Sequence, residues 1–202
     1  MKDKLINWLT QSTTVMAARG LLGAVLKVGD CAGLVVETEA YLGVSDRAAH
    51  AFGGRRTKTN EALYGPAGTV YVYQMRQYCL LNVVTQPATI PQCVLIRAVE
   101  PIAGVAAMAM RRGRSGPAMT SGPGKLCQAF GITLADNNRA VNQGRVQLIW
   151  PGRTPALIRA TPRIGVPNKG TATTAALRFF VAGNANVSDM KKRAIDPNGG
   201  WQ

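Results

Sequence analysis

Glycine and proline interrupt this chain so often that many short elements joined by turns suit it better than a few long ones. Twenty-two Gly and eleven Pro are scattered through 202 residues, with no single low-complexity block. Glycine opens backbone conformations closed to other residues, and proline removes a donor and ends regular structure. Their spacing therefore dictates many short elements joined by turns. Hydrophobic residues make up 47% of the chain, enough for one full core, and neither an internal repeat nor a long linker divides it. We expect one domain over residues 1–202. No stretch approaches the ~20 apolar residues of a membrane span. The charged start at 1–4 is followed by no apolar h-region, which suggests a protein kept inside the cell, cytoplasmic or nucleoid-associated.

Apolar alternation predicts strands at 21–26, 33–41, 68–73, 80–85, 93–99, 146–150 and 177–182. Helical patterns occupy 104–112 and 124–130, and Ser12 or Thr13 suits the cap of another running to Leu22. This order predicts an α+β domain with a mixed, largely antiparallel sheet flanked by helices.

Charge narrows the partner. Twenty-four Lys and Arg against ten Asp and Glu give a net charge of +14. Such a balance favours a polyanion, because each neutralised phosphate releases condensed counterions. Arg55, Arg56 and Lys58 fall in a Gly-, Thr- and Asn-containing stretch at 53–60 that offers mostly donors, and we read it as a phosphate contact. Arg111, Arg112 and Arg114 close a helix, where cations also suit the macrodipole, so they stay ambiguous. Cys31, Cys79, Cys93 and Cys127 form no C-x-x-C pair and His50 is the single histidine, so a Cys/His zinc site is not expected. The cysteines read as buried, reduced thiols. The H-x-E and P-C-x-x-C signature of zinc base deaminases is absent. Neither a metal nor a dinucleotide cofactor is expected.

The segment richest in chemistry is Val35-Val36-Glu37-Thr38-Glu39-Ala40-Tyr41. Residues two apart on a strand share a face, which aligns Glu37, Glu39 and Tyr41. Two like charges there should raise at least one carboxyl pKa, as a general base requires; a solvated edge strand fits the same pattern. His50, among small apolar residues, reads from sequence more as a structural side chain than a catalytic one. Tyr71 and Tyr73 share a strand face ahead of Arg76 and Tyr78, as in hairpin packing or a surface for stacked bases.

Several blocks together resemble the alkyladenine (3-methyladenine) DNA glycosylase family. They are Val36-Glu37-Thr38-Glu39-Ala40-Tyr41-Leu42-Gly43, Ala48-Ala49-His50, Gly53-Gly54-Arg55, Gly68-Thr69-Val70-Tyr71-Val72-Tyr73, Val94-Leu95-Ile96-Arg97-Ala98-Val99-Glu100-Pro101, Ser121-Gly122-Pro123-Gly124-Lys125-Leu126-Cys127-Gln128, Arg163-Ile164-Gly165-Val166 and Leu177-Arg178-Phe179. They follow the family's order and cover about 18–188. The resemblance implies a monomeric, metal-free enzyme that binds double-stranded DNA containing damaged purines, inserts a β-hairpin residue and flips the nucleotide into a pocket. It implies Glu39 as the activator of a water and Arg97 as the holder of that carboxylate and water. Tyr41, His50 and Tyr73 match the base pocket, and Asn82 matches a gate against normal guanine; Lys125 joins the DNA-facing cations. The product is an abasic site in an uncut strand.

The hairpin departs from the family pattern. Tyr73 is followed by Gln74-Met75-Arg76-Gln77-Tyr78-Cys79-Leu80-Leu81-Asn82, one residue shorter and without Tyr-Gly. Counting forward from Tyr73 puts Arg76 at the inserted position; counting back from Asn82 puts Met75 there. The shorter reach favours the longer Arg76. Residues 168–176 also diverge, being Thr- and Ala-rich with no tryptophan. Two other classes fit the basic composition less well. A non-catalytic binder of damaged DNA or structured RNA does not require Glu39 with Arg97, and a formyltransferase-like enzyme calls for a His/Asn/Asp set that one histidine does not obviously supply.

Overall fold

The computed structural model describes residues 4–202, which form one α+β domain. Helix α1 (Lys4–Gln11) buries Leu5 and Leu9, one turn apart, and stacks Trp8 on Trp150 at 4.3 Å. Its eight residues carry too short a pattern to be visible in the sequence. Helix α2 (Thr14–Gly20) is capped by Thr13, whose hydroxyl accepts from Met16 N–H. The strand expected at 21–26 begins only at Val25: residues 21–24 turn, with Ala24 N–H donating to the Leu21 carbonyl.

The sheet comprises β1 (Val25–Val28), β2 (Cys31–Tyr41), β3 (Thr69–Met75), β4 (Tyr78–Val84), β5 (Cys93–Ala103), β6 (Arg139–Ala140), β7 (Val146–Ile149), β8 (Ile158–Thr161) and β9 (Arg178–Val181). Its order is β6-β3-β4-β5-β2-β1-β7, with β9 joining β2 to β8. Every strand pair among the described residues is antiparallel, which gives the largely antiparallel sheet expected from the sequence in a curled form. Strand β2 is the organising element. Along one edge it pairs with β5; along the other it pairs first with β1 and then, at Glu37 to Glu39, with β9. It is therefore buried on both faces, which excludes the solvated-edge reading.

Helices α3 (Val105–Arg112) and α4 (Pro123–Phe130) pack together beside the sheet. Arg111 donates to the Ala129 carbonyl and Arg112 to the Met119 carbonyl and Gln128 Oε1, which resolves two of the ambiguous cations in favour of joining helices. The short helix α5 (Thr171–Thr174) falls in the divergent segment. The β3–β4 hairpin closes with only Arg76 and Gln77 between the paired Met75 and Tyr78, and Arg76 takes φ +55°. It rests on α4, where a Cβ on Gly124 would come within 3.0 Å of Tyr78; only glycine lets the two approach so closely. No helix among the described residues is long and apolar enough to cross a membrane. Cys31, Cys93 and Cys127 are buried free thiols as expected, whereas Cys79 is only half-buried.

Candidate active site

Two register shifts in the β2–β5 ladder place the chemistry. Val35 pairs with Val99, Glu37 with Ala98 and Thr38 with Ile96, so Val36 on β2 and Arg97 on β5 are left without opposite partners. Bulges of this kind re-aim a side chain, and here Arg97 turns onto the carboxylate face of β2. Its Nε donates to Glu37 Oε1 at 2.9 Å and its Nη1 lies 3.2 Å from Glu39 Oε1. Thr38, on the opposite face, donates its hydroxyl to the Ala18 carbonyl in α2. The alternation read from the sequence is thus present, and one guanidinium bridges its two acids.

Both carboxylates are fully buried. Glu39 accepts from Ile164 N–H at 2.8 Å on Oε1 and from the Tyr41 hydroxyl at 2.9 Å on Oε2. Burial, then the Glu39 charge it donates to, pushes the Tyr41 phenol well above its ordinary value, so Tyr41 is a fixed donor. Glu37 accepts from Arg97, from Arg178 Nε at 2.6 Å and from Ser188 N–H at 2.8 Å. The sequence reading expected like-charge repulsion to raise a carboxyl pKa. Burial does push Glu37 upward, but the charges of Arg97 and Arg178 and the Ser188 hydrogen bonding outweigh it and hold the group below its ordinary value. For Glu37 the expectation fails, because two arginines lie between and beside the acids.

In front of this cluster lies a cavity of about 230 Å³, walled by Tyr41, His50, Tyr71 and Tyr73, with Asn82, Cys93 and Leu95 deeper in. That is below the ~300 Å³ at which drug-sized sites begin and suits a single planar base. Glu39 does not itself line the cavity; Arg97, Tyr41 and Ile164, three of its partners, do. His50 packs against Tyr73 with ring centroids 4.1 Å apart at a tilt of 45°, and its Nδ1 is 2.8 Å from the Tyr71 hydroxyl. It is open on the cavity side. Burial, with the Arg55 charge second, holds its imidazole below the ordinary histidine value. The structural reading of His50 is therefore incomplete, since its ring forms part of the cavity wall. Asn82 donates to the Tyr71 and Leu80 carbonyls, and Cys93 points its thiol at Asn82 Oδ1.

The cavity walls are tied together by a buried pair that the sequence did not single out. Asp46 takes both terminal nitrogens of Arg163, at 2.5 and 2.9 Å, and the N–H groups of Leu42 and Ala48. Arg163 also lies over the Tyr41 ring at 4.7 Å. Arg163 and Arg178 stand in recognisable sequence blocks, but only the folded chain assigns them carboxylate partners.

Around the mouth, Met75 lines both the cavity and an adjoining cleft that also holds Tyr78, Arg112 and Lys125; Arg76 lines neither. The 53–60 segment is organised by Asn60, which bonds the His50 and Arg55 carbonyls and Thr57 N–H. Arg55 and Lys58 are exposed there, whereas Arg56 is engaged by Glu61 in a paired hydrogen bond and stacks on Tyr64. No group of three or more His, Cys, Asp or Glu residues among the described residues is arranged to hold a metal ion.

This geometry coincides with a sequence match. Residues 8–185 match the model of the methylpurine-DNA glycosylase family. The chain belongs to that family. A Lactiplantibacillus plantarum protein is 46% identical over 200 residues, covering 96% of both chains. A Listeria monocytogenes protein is 44% identical over 189 residues, 91% of each, and a Bacillus subtilis protein 46% identical over 183 residues, 88% of this chain and 93% of its own. All three carry the provisional name 3-methyladenine DNA glycosylase.

Proposed function

We propose that this family member excises alkylated and deaminated purines from duplex DNA by hydrolysing the bond between base and sugar, leaving an abasic site without cutting the strand. The observation that carries this reading is the aromatic cavity backed by the Glu39–Arg97–Tyr41 cluster. The cavity is sized for one base and cannot be reached by a base still stacked in a duplex, so the nucleotide is flipped into it. An N-alkylated purine is cationic and its glycosidic bond is already weak; the faces of Tyr41 and Tyr73 favour that charge. As the bond breaks, the sugar gains oxocarbenium character, which the Glu39 charge stabilises while accepting a proton from the attacking water. Because Glu39 lies one layer behind the cavity wall, that water enters between Arg97, Tyr41 and Ile164, whose atoms already bond the carboxylate.

Met75 is the residue we assign to the gap left by the flipped nucleotide. It is 49% exposed at the cavity mouth, and an apolar wedge of this type separates base steps in other minor-groove proteins. Arg76, favoured by reach alone, lines neither the cavity nor the adjoining cleft and is better suited to a phosphate. Arg55, Lys58 and Lys125 supply further phosphate contacts, with Arg56 contributing less because Glu61 already holds it. We propose that Asn82, its amide fixed by Tyr71, Leu80 and Cys93, excludes normal guanine. We further propose that the protein acts as a monomer inside the cell and needs no metal. The reading is tested with duplexes carrying 3-methyladenine, 7-methylguanine, hypoxanthine or ethenoadenine, followed by alkali to reveal abasic sites. Lesion-dependent breaks that persist in excess chelator support it; intact strands in every duplex contradict it.

A further inference from the structure

The buried cluster contains four charges, not two. Glu37 and Glu39 are fully buried, Arg97 is 6% exposed and Arg178 is 9% exposed. Their formal charges sum to zero. Arg178, delivered by β9 opposite Glu39, is fixed at every nitrogen: Nε to Glu37, Nη1 to the Thr161 hydroxyl at 3.1 Å and Nη2 to the Ser188 carbonyl at 3.1 Å. Ser188 N–H holds the other Glu37 oxygen. Glu37 is thus an immobile anchor, and Arg97, clamped to it through Nε, has Nη1 left for Glu39.

Resting on the reading of Glu39 as the base, we propose that Arg178 and Glu37 are positioning residues: Arg178 neutralises Glu37 so that Arg97 can serve Glu39, and Glu37 fixes Arg97 in place to do so. Without Arg178, the two acids compete for one guanidinium in a site where an uncompensated charge is costly, and a carboxylate takes up a proton more readily. Without the Glu37 charge, Arg97 answers to Glu39 alone and the opposite follows. The other groups facing Glu39 are unchanged in either case: the Tyr41 hydroxyl on its own strand, Ile164 N–H from the neighbouring loop, and Arg163 across the Tyr41 ring, itself neutralised by Asp46.

The test is single-turnover excision of 7-methylguanine against pH, a lesion already cationic, so protonation of the leaving base does not enter. Arg178→Gln should move the low-pH edge of excision upward, and Glu37→Gln should move it downward, each by about one pH unit, the low end of what a neighbouring charge does. The Glu37→Gln/Arg178→Gln double variant restores neutrality and should return the edge towards the parental position. Rates on the plateau should fall roughly tenfold in each single variant, as for residues sharing one ion-pair network. Arg178→Lys keeps the charge and should keep the parental edge; if one of the two single Gln variants does not fold, the other carries the test. An edge fixed at the parental pH in every folded variant, with only rate or stability lost, overturns the proposal. Equal excision by the parent and Glu39→Gln instead overturns the assignment of the base, whatever the Arg178 variants do.

Discussion

Asp46→Asn is the sharpest perturbation of the scaffold around the cavity. The Asp46 carboxylate accepts four hydrogen bonds, two from Arg163 and two from backbone N–H groups, and the Arg163 side chain is completely buried. Asparagine preserves the shape but turns an NH₂ towards donors on one side, and it leaves a buried guanidinium without its counter-charge. Arg163 Nε has no partner, and the Ala40 and Ala172 carbonyls to which its other nitrogens also donate carry no counter-charge. Breaking a buried pair from one side costs about 3–5 kcal/mol. Against a typical stability of about 5–15 kcal/mol that is a large loss. With a urea m-value of ~2–3 kcal/mol/M, the unfolding midpoint should fall by about 1–2 M. Adding Arg163→Met to make Asp46→Asn/Arg163→Met removes the stranded charge and should recover much of the loss. A shift below about 1 kcal/mol for Asp46→Asn, the range of an exposed pair, would refute the reasoning. So would a double variant less stable than the single.

Acid should destabilise the fold in a defined window. Glu37 and Asp46, with ordinary values of 4.5 and 3.8, are held lower when folded, so the unfolded chain protonates first as pH falls. Their stabilisation is complete above about pH 5 and is lost as pH drops through the folded values. His50, ordinarily 6.5 and also held lower, adds a loss of the same sign that begins nearer neutrality. Urea midpoints from about pH 7 to about pH 3 check this, and a midpoint that rises on acidification contradicts it. At the hairpin, Met75→Ala should abolish most of the 2-aminopurine signal for flipping in lesion duplexes, while Arg76→Ala keeps it; the reverse result reassigns the wedge. For the cations, Arg55→Ala or Lys58→Ala should each lower the slope of log K against log salt by about 0.9 if it touches one phosphate. Arg56→Ala should change it less because Glu61 screens that charge, and an equal change in all three contradicts the distinction.

Much of the architecture is legible in the sequence because period-two alternation and Gly/Pro breaks coincide with strand limits. The expected 33–41 strand lies within β2, and both candidate carboxylates do share a face with Tyr41. What the sequence conceals is non-local. The skipped register positions that aim Arg97 exist only when β2 and β5 pair, and a residue-by-residue pattern has no signal for them. Arg178 lies 141 residues from Glu37 and Arg163 lies 117 from Asp46, so neither ion pair leaves a local trace. The same limit explains the Glu37 error: repulsion between neighbours is visible in sequence, whereas compensation from across the fold is not. The hairpin shows a further limit, since counting residues in a turn fixes its length but not which side chain faces the cavity. Strands β6 and β8 were missed because two or four residues, mostly exposed, carry no periodicity.

The proposed chemistry rests on Glu39 as the base that drives excision. Single-turnover release of hypoxanthine from a saturated duplex, comparing the parent with Glu39→Gln, tests it most directly. The amide is nearly isosteric and still accepts from Ile164 N–H, but it has no charge to stabilise the sugar cation and accepts no proton from water. Excision should slow by at least about a hundredfold, the lower end of a general-base contribution, with lesion-DNA affinity retained. Excision by Glu39→Gln at the parental rate, with affinity equally unchanged, would contradict it.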